Sequence, residues 1–225
     1  MYVEQVRTSE RTHLVSVLMH GPSGSGKSAL AASIAMASEF PYIKLISPEA
    51  MVGFNESAKI QYISKVFNDS YKSPASLIVV DNIERILDWT AMGARFSNAV
   101  LQTLLVLFRK RPPKSRRLLI IGTTSERTIL RQMDVLKSFD AEIPVPTVAT
   151  LKDLDEILRA VNAFDEKTSL AVLRELEGIT TSREVKVGIK TILSILETSR
   201  QDEDVASRFV DLMSDSIAAS MGGDI

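Results

Sequence analysis

The sequence contains no cysteine, which excludes a disulfide framework and any thiolate metal site. Its two histidines, His13 and His20, are too few for a histidine-rich metal site. No apolar run approaches the roughly 20 residues needed to cross a bilayer, and the start MYVEQVRTSER is too polar for a secretory signal. A surplus of charge of either sign is also missing. With 27 Lys and Arg against 28 Asp and Glu, the formal net charge is -1, so nothing draws the chain generally toward nucleic acid. Internal repeats and low-complexity segments are absent as well. What remains is a chain of 225 residues, 45% hydrophobic and 24% charged. It is long enough to bury a full core as one large domain, or one domain with a small companion.

The hydrophobic pattern divides the chain in two. Leu14 to Met19 reads as a strand ending at a glycine-rich turn, and Ser28 to Ala37 as the helix that follows. Strands are then predicted at Phe40 to Ser47, Ser76 to Asp81, Arg117 to Ser125 and Ala141 to Pro146, with helices at Glu56 to Tyr71 and Phe96 to Phe108. Continuous apolar strands alternating with helices predict an α/β fold, a parallel sheet covered on both faces whose ligands bind at the carboxyl ends of the strands. After Pro146 the spacing predicts only helices, at Thr150 to Leu158, Glu166 to Leu176, Arg183 to Leu196 and Asp202 to Ser220. The expected division is therefore an α/β domain over 1–148 and a small helical domain over 149–225, with a frayed tail from Met221 to Ile225.

Gly21, Pro22, Ser23, Gly24, Ser25, Gly26, Lys27 and Ser28 match the eight-position phosphate-binding loop at every fixed position, after a predicted strand and opening a predicted helix. An accidental glycine and serine turn would match the pattern without that context. Glycines let backbone amides turn inward around phosphates, a helix N-terminus adds a favourable dipole, Lys27 reaches the outer phosphates, and the Ser28 hydroxyl is placed to ligate magnesium. Ala29 continues the loop into the helix. Asp81, ending the apolar run Leu77 to Val80, is the acid expected on the magnesium side. Ser28 and Asp81 are thus the metal candidates, and ATP with magnesium the expected ligands.

The stretches VSVLMHGPSGSGKSALAASIA, FPYIKLISPEAMVGFNESAK, VVDNIERILDW, GARFSNAVLQTLLVLFRKRPP and RLLIIGTTS together resemble the second AAA domain of N-ethylmaleimide-sensitive factor, called the vesicular-fusion ATPase in fungi. The likeness covers nearly the whole chain. It implies a P-loop AAA ATPase fold with a small helical lid domain, a homo-hexameric ring, and one tightly held ATP per subunit. It also implies a place behind the first AAA domain of the same protein, which performs most of the hydrolysis that disassembles SNARE complexes with SNAP adaptors. The implied location is cytoplasmic and peripheral to transport-vesicle and Golgi membranes, without direct membrane insertion and without nucleic acid as a partner.

Against that family the sequence departs at several positions. Asn82 stands where hydrolysing members carry a glutamate that polarises the attacking water, and a neutral amide cannot take the water's proton. Ser125 stands at the usual sensor asparagine. The segment that normally offers two arginine fingers reads Leu136, Lys137, Ser138, Phe139, Asp140, and Met51 occupies the place of a pore-loop aromatic, with Phe54 close by. Two resemblances are positive. Gly188 and Lys190 match a sensor position from which Lys190 would reach the γ-phosphate. The basic cluster of Arg109, Lys110, Arg111, Lys114, Arg116 and Arg117 includes two residues, Arg109 and Arg117, expected to point at a neighbour's γ-phosphate. These features imply an ATP-loaded assembly domain with weak turnover. The alternatives are a catalytically active AAA mechanoenzyme module, a nucleic-acid P-loop protein and a small-molecule kinase. His20 is expected to pack or cap, and Trp89 and the methionines to fill core or interface.

Overall fold

A computed structural model describes residues 1–92, 95–179 and 184–222, without the side chains of 179, 221 and 222. The chain forms two compact units, one of Met1–Gly21 with Lys27–Val145, the other of Pro22–Gly26 with Pro146–Ile225.

The first unit is built on five parallel strands, β1 (Leu14–His20), β2 (Tyr42–Ile46), β3 (Ala75–Val80), β4 (Arg117–Thr124) and β5 (Ala141–Pro144), in the order β2-β3-β4-β1-β5. The helices are α1 (Tyr2–Thr8), α2 (Lys27–Ala37), α3 (Glu56–Ser70), α4 (Ile83–Ile86), α5 (Asn98–Arg109) and α6 (Arg127–Gln132). Because side chains alternate across a strand, each central strand feeds two cores. Leu18, Ile78, Val80, Leu118 and Ile120 pack with Ile63 and Phe67 of α3 and Leu104 and Phe108 of α5. Their neighbours Val17, Met19, Leu77, Val79, Leu119 and Ile121 pack on the other face with Ala31 and Ala35 of α2 and Val6 of α1. Each such side chain, fully buried, contributes about 1.5–3 kcal/mol, which is why the central strands carry no polar alternation. The sheet's edges are handled differently. β5 ends in Pro144, which has no N–H to offer, and β2 exposes Lys44.

Helix starts follow local chemistry. Asn55 accepts the Ala58 N–H at 2.9 Å to open α3, and Ser97 accepts the Val100 N–H at 3.2 Å to open α5. The sequence reading did not anticipate α1, which buries one side chain, Val6, and is held from outside by Arg117 of β4, whose Nη1 donates to the Val6 carbonyl at 2.7 Å. Met51 is buried at 2% exposure in the core below α3, while Val52 and Phe54 are the exposed apolar side chains of that loop. The expectation that Met51 occupies a pore-facing position is corrected accordingly. Trp89 is half-buried; of the described methionines Met19, Met51 and Met213 lie in the core, Met133 is half-buried, and Met1, Met36 and Met92 are exposed.

The second unit contains α7 (Leu151–Ala160), α8 (Glu166–Ile179), α9 (Ile189–Ser199) and α10 (Val205–Gly222), around a core of Leu154, Leu158, Leu176, Leu196, Phe209 and Met213. A capping box closes the start of α7, with Thr150 accepting from Asp153 N–H and the Asp153 carboxylate accepting from Thr150 N–H. The unit also holds an antiparallel pair, β6 (Val148–Thr150) with β7 (Glu184–Val187). The helix predicted from Arg183 to Leu196 is therefore wrong in its first turn. Val185 and Val187 are buried while Glu184 and Lys186 face outward, the period of a strand and not of a helix. Arg183 itself lies outside the described residues, as do the last three of the expected frayed tail.

Gly122, in β4 between Leu18 and Val80, is a point where the packing admits no side chain. A Cβ there would stand 2.7 Å from Phe139 Cζ and 2.9 Å from Ile83 Cδ1, and Phe139 is itself packed on Phe108 at 5.1 Å between ring centroids. Gly122→Ala is expected to destabilise the fold by about 1–3 kcal/mol through overpacking. Urea unfolding followed by circular dichroism checks this, and an unchanged midpoint would show that Phe139 yields freely.

Candidate functional site

β1 ends at His20, just before the phosphate-binding loop in sequence, and in the sheet order β4 lies next to β1 and β3 next to β4. Gly24 and Gly26 have φ of 77° and 94°, in the left-handed region where a Cβ is strained. The turn is tied back to β4 by the Gly21 N–H on the Thr124 carbonyl at 3.3 Å. Within the second unit, which includes Pro22–Gly26, the Lys190 N–H donates to the Gly24 carbonyl at 3.1 Å. A Cβ on Gly188 would come within 3.0 Å of that same carbonyl oxygen, so Gly188 has a steric reason to be glycine.

In the first unit Lys27 opens α2 at 5% exposure and donates Nζ to the Gly21 carbonyl at 2.8 Å. Burial pushes the Lys27 ammonium below its ordinary range, while the carboxylates of Glu84 and Asp81 pull it back up. Asp81, 8% exposed, gathers three donors. Its Oδ1 accepts from Ser28 Oγ at 2.6 Å and from Thr123 Oγ1 at 2.7 Å, and its Oδ2 accepts from the Asn82 side-chain amide at 2.8 Å. Asn82 sits in the left-handed region at φ 51°, its N–H donating to Thr123 Oγ1 at 2.9 Å. One residue therefore caps both the backbone and the carboxylate at the end of β3.

Glu84 was not singled out from sequence, although it lies three residues beyond Asp81 at the start of a short helix. It is 6% exposed, and both its oxygens are engaged, Oε2 by Thr124 Oγ1 at 2.7 Å and Oε1 by the Ser125 N–H at 2.9 Å. Ser125 is thus placed by its backbone, at the end of β4, beside the Asp81 cluster. Thr123 and Thr124 are the other residues the sequence reading missed. Their signal was the pair of hydroxyls at Thr123 and Thr124, ending a strand that is apolar from Leu118 to Ile121.

These residues fit a nucleotide and a divalent cation. A hydroxyl and a carboxylate are hard oxygen donors, and among the described residues no cluster of three or more His, Cys, Asp or Glu offers a protein-only metal cage, so a cation here needs oxygens from phosphate or water. Ser25 of the loop has a buried hydroxyl with no hydrogen-bond partner among the described residues, as a group awaiting an incoming oxygen would. When bound, magnesium would neutralise and orient the phosphates. In the first unit Lys27 would hold them, with Ser28 and Asp81 facing the cation; in the second, the backbone N–H groups within Pro22–Gly26 and the Ser25 hydroxyl are the donors the motif supplies.

Arg109 and Arg117 lie elsewhere. Leu14 to His20 of β1 pair with Leu118 to Thr124 of β4 in parallel register, so Arg117 stands at the starting end of the sheet. Seven strand steps, about 23 Å, separate it from the level of His20, where β1 ends. Arg109 ends α5 and donates to the Lys137 carbonyl at 2.8 Å, and Arg117 also reaches the Ser9 carbonyl at 2.5 Å. Within the first unit, therefore, Arg117 stands at the opposite end of the sheet from Ser28 and Asp81, and Arg109 is engaged by the turn Val135–Ser138. His20 packs at 3.9 Å from Glu142, and burial together with Arg127 lowers its pKa against the opposing pull of Glu142.

The profile of the ATPase family associated with various cellular activities (AAA) matches residues 17–147. The vesicular-fusion protein sec18 of Schizosaccharomyces pombe is 55% identical over 218 residues, 96% of this chain and 28% of that protein. SEC18 of Saccharomyces cerevisiae is 47% identical over 96% of this chain and 28% of its own length, and the vesicle-fusing ATPase of Dictyostelium discoideum 46% identical over 90% and 26%. The chain spans little more than a quarter of the relatives it matches. With a five-stranded parallel sheet in the order given, a complete phosphate-binding loop and a match over most of the first unit, the chain belongs to the AAA family of ATPases, as an AAA domain of the vesicular-fusion kind.

Proposed function

We propose that this chain is the second AAA domain of a vesicular-fusion ATPase, binding ATP with magnesium, hydrolysing it slowly, and using it chiefly to hold subunits together in a hexameric ring. The two parts, 1–148 and 149–225, would act as nucleotide-binding domain and lid. In the whole protein, cytoplasmic and peripheral to transport-vesicle and Golgi membranes, the ring would support a first AAA domain that disassembles SNARE complexes with SNAP adaptors. The observation that carries the reading is the side chain of Asn82, which donates to Asp81 where a water-activating carboxylate would otherwise stand. Glu84, the nearest alternative acid, is supported against that role by the two hydrogen bonds that occupy its oxygens. Loss of general-base help costs about 10²–10⁴ in rate, so binding survives while turnover falls.

Lys27→Ala is expected to abolish ATP binding and leave the chain folded, because Lys27 meets phosphate charge and contributes no apolar packing to either core. Calorimetric titration with a parallel thermal melt separates the two effects. Unchanged ATP affinity would mean that this loop does not cradle phosphates.

Asn82→Glu is expected to leave hydrolysis slow, since Ser125 still stands at the sensor position and the segment from Leu136 to Asp140 still lacks arginine. Single-turnover kinetics on both forms measure this. A rise by about 10³ or more, the scale an arginine finger alone can supply, would make Asn82 the sole brake.

Assembly is expected to follow ATP more than ADP, with Lys27 and Lys190 holding the γ-phosphate on one side and Arg109 and Arg117 of a neighbour on the other. Arg109→Ala is the cleaner variant, because Arg117 also braces α1. Light scattering with ATP, with ADP and without nucleotide should show the largest mass with ATP and a smaller one for Arg109→Ala. Identical masses in all three conditions for the unmodified chain would defeat the bridging role.

A further inference from the structure

We propose that the first unit carries a second anion site, separate from the phosphate-binding loop, which takes a small multivalent phosphate such as pyrophosphate. It is a cavity of about 410 Å³ at the starting end of the sheet, where residues 11–16 meet the end of α5 and the turn Val135–Ser138. Arg11, Arg109, Arg111 and Lys137 stand around it, with Ser138 and Asp140 in its wall.

The charges of the wall do not cancel. Arg11 and Arg111 make no ion pair among the described residues, whereas Lys137 is paired with Asp134 at 2.7 Å and Arg109 holds the Lys137 carbonyl. The acid in the wall, Asp140, is turned to its own strand, Oδ2 accepting from Ser16 N–H at 2.8 Å and Ser16 Oγ at 3.1 Å. Ser138 is 5% exposed and its hydroxyl has no hydrogen-bond partner among the described residues. A concave surface with two uncompensated guanidiniums and an orphaned hydroxyl focuses a positive potential and offers planar, charge-assisted donors. The ligand that answers all three is an oxyanion with several oxygens; a carboxylate would engage one guanidinium and leave the other. The volume lies within the range of small-ligand pockets and exceeds what a single chloride would need.

The same phosphate chemistry has two sources, a free anion or the nucleotide held by another copy, and Lys27→Ala separates them by removing nucleotide from every copy. Pyrophosphate titrated calorimetrically into the Lys27→Ala chain at low salt is expected to bind one per chain with no change of mass by light scattering. Adding Arg11→Ala and Arg111→Ala should weaken it about tenfold or more. Both arginines are exposed, and a thermal melt of the same samples shows that the fold is retained. In the chain with Lys27 intact, the Arg11→Ala, Arg111→Ala variant should still bind ATP, which keeps this site distinct from the loop. No binding to Lys27→Ala, equal affinity with and without the two arginines, or binding that appears only as ATP-loaded chains associate would each overturn a free-anion site.

Discussion

The carboxylate of Asp81 joins three parts of the sequence at one point. Ser28 comes from the helix after the phosphate-binding loop, Thr123 from the end of β4, and Asn82 from the turn that leaves β3. Each donates to it, and the sheet order makes this possible by placing β4 between β1 and β3. A buried carboxylate with fewer donors would be costly. With three, it becomes the fixed reference against which the loop, the strand end and the following turn are set. Glu84 repeats the device one turn further, fixing the other side of the same strand end through Thr124 and Ser125. Lys27 lies within the field of both acids.

That arrangement explains why so much of the nucleotide site was legible in sequence. The loop residues from Gly21 to Ser28 form one contiguous pattern whose chemistry depends on their own spacing. Asp81 follows the continuous apolar run Leu77 to Val80, so its place at a strand end could be read without knowing its neighbours. Glu84, Thr123 and Thr124 could not be read in this way, because their roles depend on β3 and β4 lying side by side, a pairing between residues about 40 positions apart. The same contrast holds for the fold. Strands buried on both faces announced themselves as continuous apolar runs. The pair of β6 and β7 was missed because EVKV, four residues beside a strongly helical stretch, carries its alternation in only two buried valines. The helix α1 was missed because it is only seven residues long, with one fully buried side chain, Val6, while Arg7 on the Ser38 carbonyl and Arg117 of β4 on the Val6 carbonyl hold it through contacts distant in sequence.

On the proposed reading, slow turnover and tight assembly have one origin. A site that catalyses must release product and so alternates between states of different affinity, whereas a site that ties subunits gains from staying occupied. Occupancy by a ligand stabilises whatever form binds it better, by about 2.7 kcal/mol at a hundredfold excess over the dissociation constant. If the ring binds ATP better than the single chain does, assembly and nucleotide affinity strengthen each other reciprocally. An asparagine at position 82 prolongs that state without disturbing the donors around Asp81, since it supplies one of them.

The direction of the strands then limits the kind of assembly. In a wholly parallel sheet the two ends are chemically different. Here the carboxyl end carries Lys27, Ser28 and Asp81, and the starting end carries Arg109, Arg117 and the cations around the 410 Å³ cavity. A two-fold contact makes each pairing twice, residue i on j and j on i, so it satisfies both ends only if each chain turns its two patches to the same neighbour. Where the two patches instead meet different neighbours the contact is heterologous, and a heterologous contact propagates until it closes on itself or runs on as a filament. On the proposed reading, a nucleotide at each such contact would face Arg109 and Arg117 of the next subunit. On that reading, the polarity of the five strands, which sets the phosphate-side residues and the arginines at opposite ends of the sheet, favours a contact of that heterologous kind.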